Sequence, residues 1–92
     1  MLEIKNFDQE KQGVFFIGEA DQRLAEMNYS WINSSTLVIE RTWVDHALRG
    51  QNIGRLLVDQ AIELAQRKQA KIVAKCPFAK AIFEKDSIIQ EA

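Results

Sequence analysis

One cysteine, one proline, one histidine and four glycines are all that 92 residues supply of these types, and the scarcity of cysteine and histidine closes off classes of protein. A single cysteine cannot staple a disulfide scaffold, and it fits a reducing compartment. One cysteine with one histidine cannot assemble a closed zinc site, so no metal is expected. No run of about 18 apolar residues occurs, so no membrane span is expected. The opening segment Met1-Leu2-Glu3-Ile4-Lys5 lacks the apolar stretch of a secretory signal. Neither sign of charge is in excess: twelve basic side chains face thirteen acidic ones, for a net charge of −1. Such a balance gives no global field to attract nucleic acid or anionic lipid, and neither is expected as a partner. What is present is 47% hydrophobic residues against 27% charged, which suits a folded core and excludes a disordered tail. The length supports one domain, residues 1–92, because two cores could not both be filled from this stock. The expectation is a small cytoplasmic domain whose function comes from a local site.

The front half reads as strands. Residues 2–7 form a weak apolar segment ahead of a polar run. Val14-Phe15-Phe16-Ile17 is a β-rich run opened by Gly13 and closed by Gly18. After a turn at residues 18–21, the chain alternates, with Ala25, Met27, Tyr29 and Trp31 on one face and Glu26, Asn28 and Ser30 on the other. Asn33-Ser34-Ser35 signals a second turn, and residues 36–44 are rich in β-branched and aromatic side chains. An antiparallel meander of three to four strands follows from this pattern. The period then changes. Ile53, Leu56, Leu57, Ala61, Leu64 and Ala65 make one apolar stripe of an amphipathic helix over residues 51–70. Opposite charges at Arg55–Asp59 and Glu63–Arg67 support it at i, i+4 spacing. Residues 71–75 read as a short buried strand. Pro77 opens a second, short C-terminal helix to about residue 85, with Phe78, Ala81 and Ile82 expected to face the sheet. Strand, helix, strand implies a crossover with parallel strands. The fold class is α+β, with one mixed sheet layer covered by one main helix.

The stretch that carries chemistry is Arg49-Gly50-Gln51-Asn52-Ile53-Gly54, between a strand and the main helix. Small, permissive residues let the backbone turn tightly and expose the first amides of the helix. Free N–H groups with the helix dipole behind them suit a phosphate or pyrophosphate, and Arg49 and Arg55 bracket the turn as cationic partners. The same glycines would equally serve a helix start with no ligand. No Gly-Lys-Ser/Thr follows, which excludes a P-loop, and the antiparallel front half argues against a dinucleotide fold.

From Val44-Asp45-His46-Ala47-Leu48 through Arg49 to Gly54, the chain resembles the acetyl-CoA motif of GNAT-type N-acetyltransferases, in which a strand leads to an Arg/Gln-x-x-Gly-x-Gly/Ala loop and a long helix. With Cys76-Pro77-Phe78 downstream, it resembles the small, stand-alone acetyltransferase-like group of that family. The resemblance implies a GNAT-like mixed sheet and acetyl-CoA or CoA as co-substrate. It implies main-chain hydrogen bonds from Trp43 and Val44 to the pantetheine arm. It also implies a pyrophosphate held by the amides of Arg49, Gly50, Gln51, Asn52, Ile53 and Gly54 with Arg55. The thioester would lie in a splay between the strand at residues 36–44 and the strand at 71–75. Asn52 stands where the family usually has Gly, and Asn is the non-Gly residue best able to take positive φ. His46 stands where many relatives have Pro. Trp43 stands where small relatives often have an acidic residue.

Acetyl transfer to an amine needs a deprotonated amine, a stabilised carbonyl oxygen and a proton for the departing thiolate. Cys76 precedes Pro77, so it is expected in extended backbone at the N-cap of the last helix. There a thiol is activated toward nucleophilic or acid roles, with Lys75 or Lys80 assisting; the alternative is a buried small hydrophobe. His46 beside the loop would be a general base near neutral pH, or an exposed bystander. Glu26 and Glu40 on strands would act through water. Three functions compete: an N-acetyltransferase acting on an amine; a CoA-binding module without efficient catalysis, as sensor or partner subunit; and an interaction domain in which the turn is only architectural. Little sequence follows Cys76, so the acceptor side is expected to be open. It would admit a bulky amine or protein tail, or take a second subunit such as a second copy in a homodimer.

Overall fold

The computed structural model describes residues 3–19 and 21–85. Four strands, β1 (Lys5–Asp8), β2 (Gln12–Glu19), β3 (Gln22–Asn33) and β4 (Thr36–Val44), run antiparallel in chain order. A short 3₁₀ turn, His46–Leu48, and the helix α1 (Ile53–Arg67) carry the chain over the sheet to β5 (Lys71–Ala74). β5 pairs parallel to β4, as the crossover requires. Helix α2 (Pro77–Lys85) closes the described chain. The N-terminal apolar segment is thus a fourth meander strand, and the expected α+β arrangement is present. Both glycines that were read as strand limits lie inside β2. Gly18 takes φ 107° at an irregularity beside the β2–β3 turn, a conformation open to a residue without Cβ.

Both helices cover one face of the sheet. On that face Phe15 and Ile17 of β2 meet Ala25, Met27 and Tyr29 of β3 and Leu37 and Ile39 of β4. Against them α1 packs Ile53, Leu57, Val58, Ala61, Leu64 and Ala65. The stripe departs from expectation at one position: Leu56 is 42% exposed, while Val58, its neighbour two residues on, is fully buried. A wide apolar arc on a 3.6-residue period leaves its flanks ambiguous, and the sheet's position decides which flank is covered. α1 ends at Arg67 because Gln69 turns left-handed (φ 54°). The amides of Gln69 and Ala70 then reach back to Gln66 and Ala65, closing the helix end.

α2 is also turned relative to expectation. Ala79 and Phe83 are its buried residues, Phe78 is 43% exposed and Ala81 is exposed. Ile82 is half-buried. Phe78 leans on the start of α1, where a Cβ at Gly54 would collide with its ring. The face holding Phe78 and Ile82 therefore meets α1 rather than the sheet.

The opposite face of the sheet carries no helix among the described residues. On it the Phe16 ring is shielded by charged stems: Arg23 lies 4.5 Å and Lys5 5.9 Å from it.

Candidate active site

β4 and β5 pair only as far as Ile39 and Ala74. Beyond that point the Lys75 and Cys76 amides both donate to the Ile39 carbonyl, at 2.9 and 3.3 Å, and the strands part. β4 continues to Val44 beside β3 alone. Its ladder with β3 slips by one residue here, since Asn28 opposes Arg41 while Tyr29 opposes Ile39, leaving Glu40 as the bulged residue. The slip also exchanges faces: Thr42 opposite Met27 and Val44 opposite Ala25 turn toward the helices, while Trp43 opposite Glu26 turns away.

A cleft of about 1070 Å³ opens where the strands separate. Thr42, Trp43 and Val44 form its β4 wall, and Phe78 and Ile82 of α2 face them. Its end is the loop and helix start: Leu48, Arg49, Gly50, Asn52, Ile53, Gly54 and Arg55. Asp45 caps the 3₁₀ turn by accepting from the Ala47 amide at 2.9 Å, and Arg49 donates to the His46 carbonyl. Two left-handed residues then shape the loop, Gly50 at φ 84° and Asn52 at φ 62°, ψ 29°. Asn52 is the N-cap of α1, yet its side chain makes no cap hydrogen bond. Among the described residues no hydrogen bond reaches the amides of residues 50–54. Unpaired donors at a helix N-terminus, flanked by the exposed Arg49, give this end of the cleft a chemistry that favours an anion. Arg55 holds Asp59 through Nε at 2.8 Å. Gly54 has a second task, the close packing against Phe78 already described.

Trp43, Val44, Arg49, Gly50, Asn52, Ile53, Gly54 and Arg55 therefore share one cleft, while Gln51 lies in the loop outside its wall. His46 is exposed in the 3₁₀ turn and does not line the cleft. Cys76 occupies the N-cap of α2: its Sγ accepts from the Ala79 amide at 3.3 Å. The thiol also lies 3.6 Å from Thr42 Oγ1 and is 7% exposed. It does not line the cleft; Thr42 does. Thr42, Phe78 and Ile82 were not read from the sequence as site residues. Only the bulge at Glu40 reveals Thr42, because unbroken alternation from Leu37 and Ile39 would turn it away from the helices.

The chain belongs to the family of GCN5-related N-acetyl-transferases, which residues 14–91 match. No curated protein matches it. Among solved structures, a GCN5-like protein from Staphylococcus aureus, determined by NMR, is 36% identical over 94% of this chain and 81% of that one, with a TM-score of 0.73. The same fold recurs at far lower identity in the ribosomal-protein-alanine N-acetyltransferase of Brucella melitensis (12%, TM-score 0.68). It recurs again in the ribosomal-protein-S18-alanine N-acetyltransferase of Escherichia coli (15%, TM-score 0.69). Those matches cover 91% and 92% of this chain but only 65% and 57% of the longer proteins.

Proposed function

We propose that residues 1–92 act as one acetyl-CoA-dependent N-acetyltransferase domain that moves an acetyl group to a primary amine. The observation that carries this reading is the row of unpaired amides at residues 50–54, opening on a cleft walled by the unpaired edge of β4. Those amides, with Arg49 and Arg55, would hold the pyrophosphate, and β4 at Trp43 and Val44 would hydrogen-bond the pantetheine arm. The thioester then falls in the gap between β4 and β5. There the amine nitrogen attacks the carbonyl carbon, the C–S bond breaks, and the CoA thiolate leaves and is protonated. Cys76 is assigned as nucleophile or as acid to that thiolate, from one side chain behind Thr42, and His46 as base.

Calorimetric titration with CoA and acetyl-CoA tests this reading. Arg49→Glu places a carboxylate beside the diphosphate and is expected to weaken binding about tenfold or more. Absence of CoA binding at millimolar concentration removes the reading.

A second reading, a CoA-binding module without efficient catalysis, is favoured by Trp43 at a position often acidic in small relatives and by Cys76 and His46 standing off the cleft wall. Binding without an acetyl adduct on Cys76 by intact mass, and without turnover on an amine panel, selects it.

A further inference from the structure

We propose that Lys75 is an acetyl-acceptor site within this chain, loaded from acetyl-CoA held in the cleft; the inference rests on the transferase reading above. Lys75 sits at the apex of the strand separation, where its own amide and that of Cys76 make the last backbone hydrogen bonds to β4, at Ile39. Ile72 and Ala74 are buried toward the helices, so alternation turns the Lys75 side chain to the helix-free face. Its side chain is 72% exposed there, and its Nζ lies 3.6 Å from Glu40 Oε1. Glu40 is the bulged residue of β4, and its other carboxylate oxygen is fixed by the Ser30 hydroxyl at 2.7 Å. A primary amine and an anchored carboxylate thus meet where the two strands part. The cofactor site lies on the helix side of that gap, and no helix among the described residues obstructs the other side.

An ammonium cannot attack a thioester, so Glu40 first takes one proton from Lys75. The free amine nitrogen then forms a bond to the acetyl carbonyl carbon as the C–S bond breaks. The second nitrogen proton passes to the departing CoA thiolate, and the Glu40 proton is released to water. The products are acetyl-Lys75 and CoA. A surface ion pair alone would not carry this assignment. Its position at the apex of the gap does, and Lys71, four residues back along the strand and about 13 Å away, is an internal control.

The test incubates the purified full chain with acetyl-CoA and maps acetyl-lysine by mass spectrometry over time. Lys75 is expected to be acetylated about tenfold or more faster than Lys71 and than Lys75 in the urea-unfolded chain. Glu40→Gln should slow Lys75 about tenfold or more with CoA affinity unchanged, and Ser30→Ala, which only frees the carboxylate, should slow it less. A second readout needs no turnover: saturating CoA should shield Lys75, and not Lys71, from an amine-reactive N-hydroxysuccinimide ester. Lys75 reacting no faster than these controls while calorimetry shows CoA bound overturns the inference and leaves the proposed function standing. Failure to bind CoA overturns both.

Discussion

Asn52 and Tyr29 show two opposite ways in which a single side chain is held against its ordinary preference. Asn52 takes a left-handed backbone at the N-cap of α1 with no cap hydrogen bond from its side chain. The conformation itself therefore selects the residue. Asn52→Ala is expected to cost about 1 kcal/mol, because a plain Cβ is disfavoured there. Asn52→Gly should be neutral or stabilising by up to about 1 kcal/mol. Urea denaturation separates the two variants, and equal losses would mean that the Asn side chain contributes a contact of its own. Tyr29, the sole tyrosine, is buried. Its hydroxyl donates to Asp8 Oδ1 at 2.7 Å and accepts from Asn6 Nδ2 at 3.1 Å. Gly13 makes room for it, since a Cβ there would collide with the phenol. Burial pushes the phenol's pKa above its ordinary value; the hydrogen bond from Asn6 opposes this and Asp8 adds to it. The native state therefore keeps a proton that the unfolded chain releases near pH 10. This contribution to stability is complete below about pH 10 and is lost as pH rises beyond it. Absorbance at 295 nm should show no tyrosinate at pH 10 in the folded protein and half-ionisation near that pH in urea. Tyr29→Phe should flatten the fall of Tm above it.

At the scale of elements, α2 carries one aromatic inward and one sideways. Phe83 is 1% exposed in the core, whereas Phe78 lies half-open on Gly54 at the cleft. Phe83→Ala is expected to cost about 3–5 kcal/mol, and Phe78→Ala about 1 kcal/mol, with CoA affinity changed in the second case only. Similar losses in denaturation midpoint would contradict the observed rotation of the helix. The same helix marks where the sequence stops being legible. The spacing of Phe78 and Ile82 is as good a helical stripe as that of Ala79 and Phe83, and nine residues offer too few turns to break the tie. The Cys76 thiol on the Ala79 amide and the packing of Phe78 on Gly54 settle it, and both are tertiary facts. α1 was legible because fifteen residues repeat one stripe; the differences lie at the flank, where Leu56 and Val58 exchange places, and at the ends, where the helix runs Ile53–Arg67 rather than over residues 51–70. The meander and the parallel β5 followed from alternation and from the strand–helix–strand order. The bulge did not, because one extra residue in β4 leaves that strand's composition unchanged while reversing the faces of Thr42 and Trp43. The loop before α1 was visible as small residues between two periods, but which amides stay unpaired depends on the φ values of Gly50 and Asn52.

Across the whole molecule, one sheet is used in two ways. From β1 to the first half of β4, each strand from β2 onward lies between neighbours, and their apolar faces are sealed by α1. From Glu40 onward, β4 has β3 on one side and, among the described residues, no strand partner on the other, where the cleft opens. The bulge and the parting of β5 coincide at Glu40, so the paired and the open parts of the sheet are divided along the length of one strand. Backbone groups left without partners at the cleft are the ones a ligand can complete, and their local opening is the least opposed. Hydrogen exchange followed by NMR should therefore show slow amides where β4 faces β3. It should show fast ones at residues 50–54 and on the cleft side of residues 40–44. Saturating CoA should slow both fast groups and leave β1 and β2 unchanged, because binding would add partners only at the gap. Uniform slowing over all five strands would instead mean that CoA acts on global unfolding, which raises protection everywhere by the same factor. That outcome would remove the division of labour along β4.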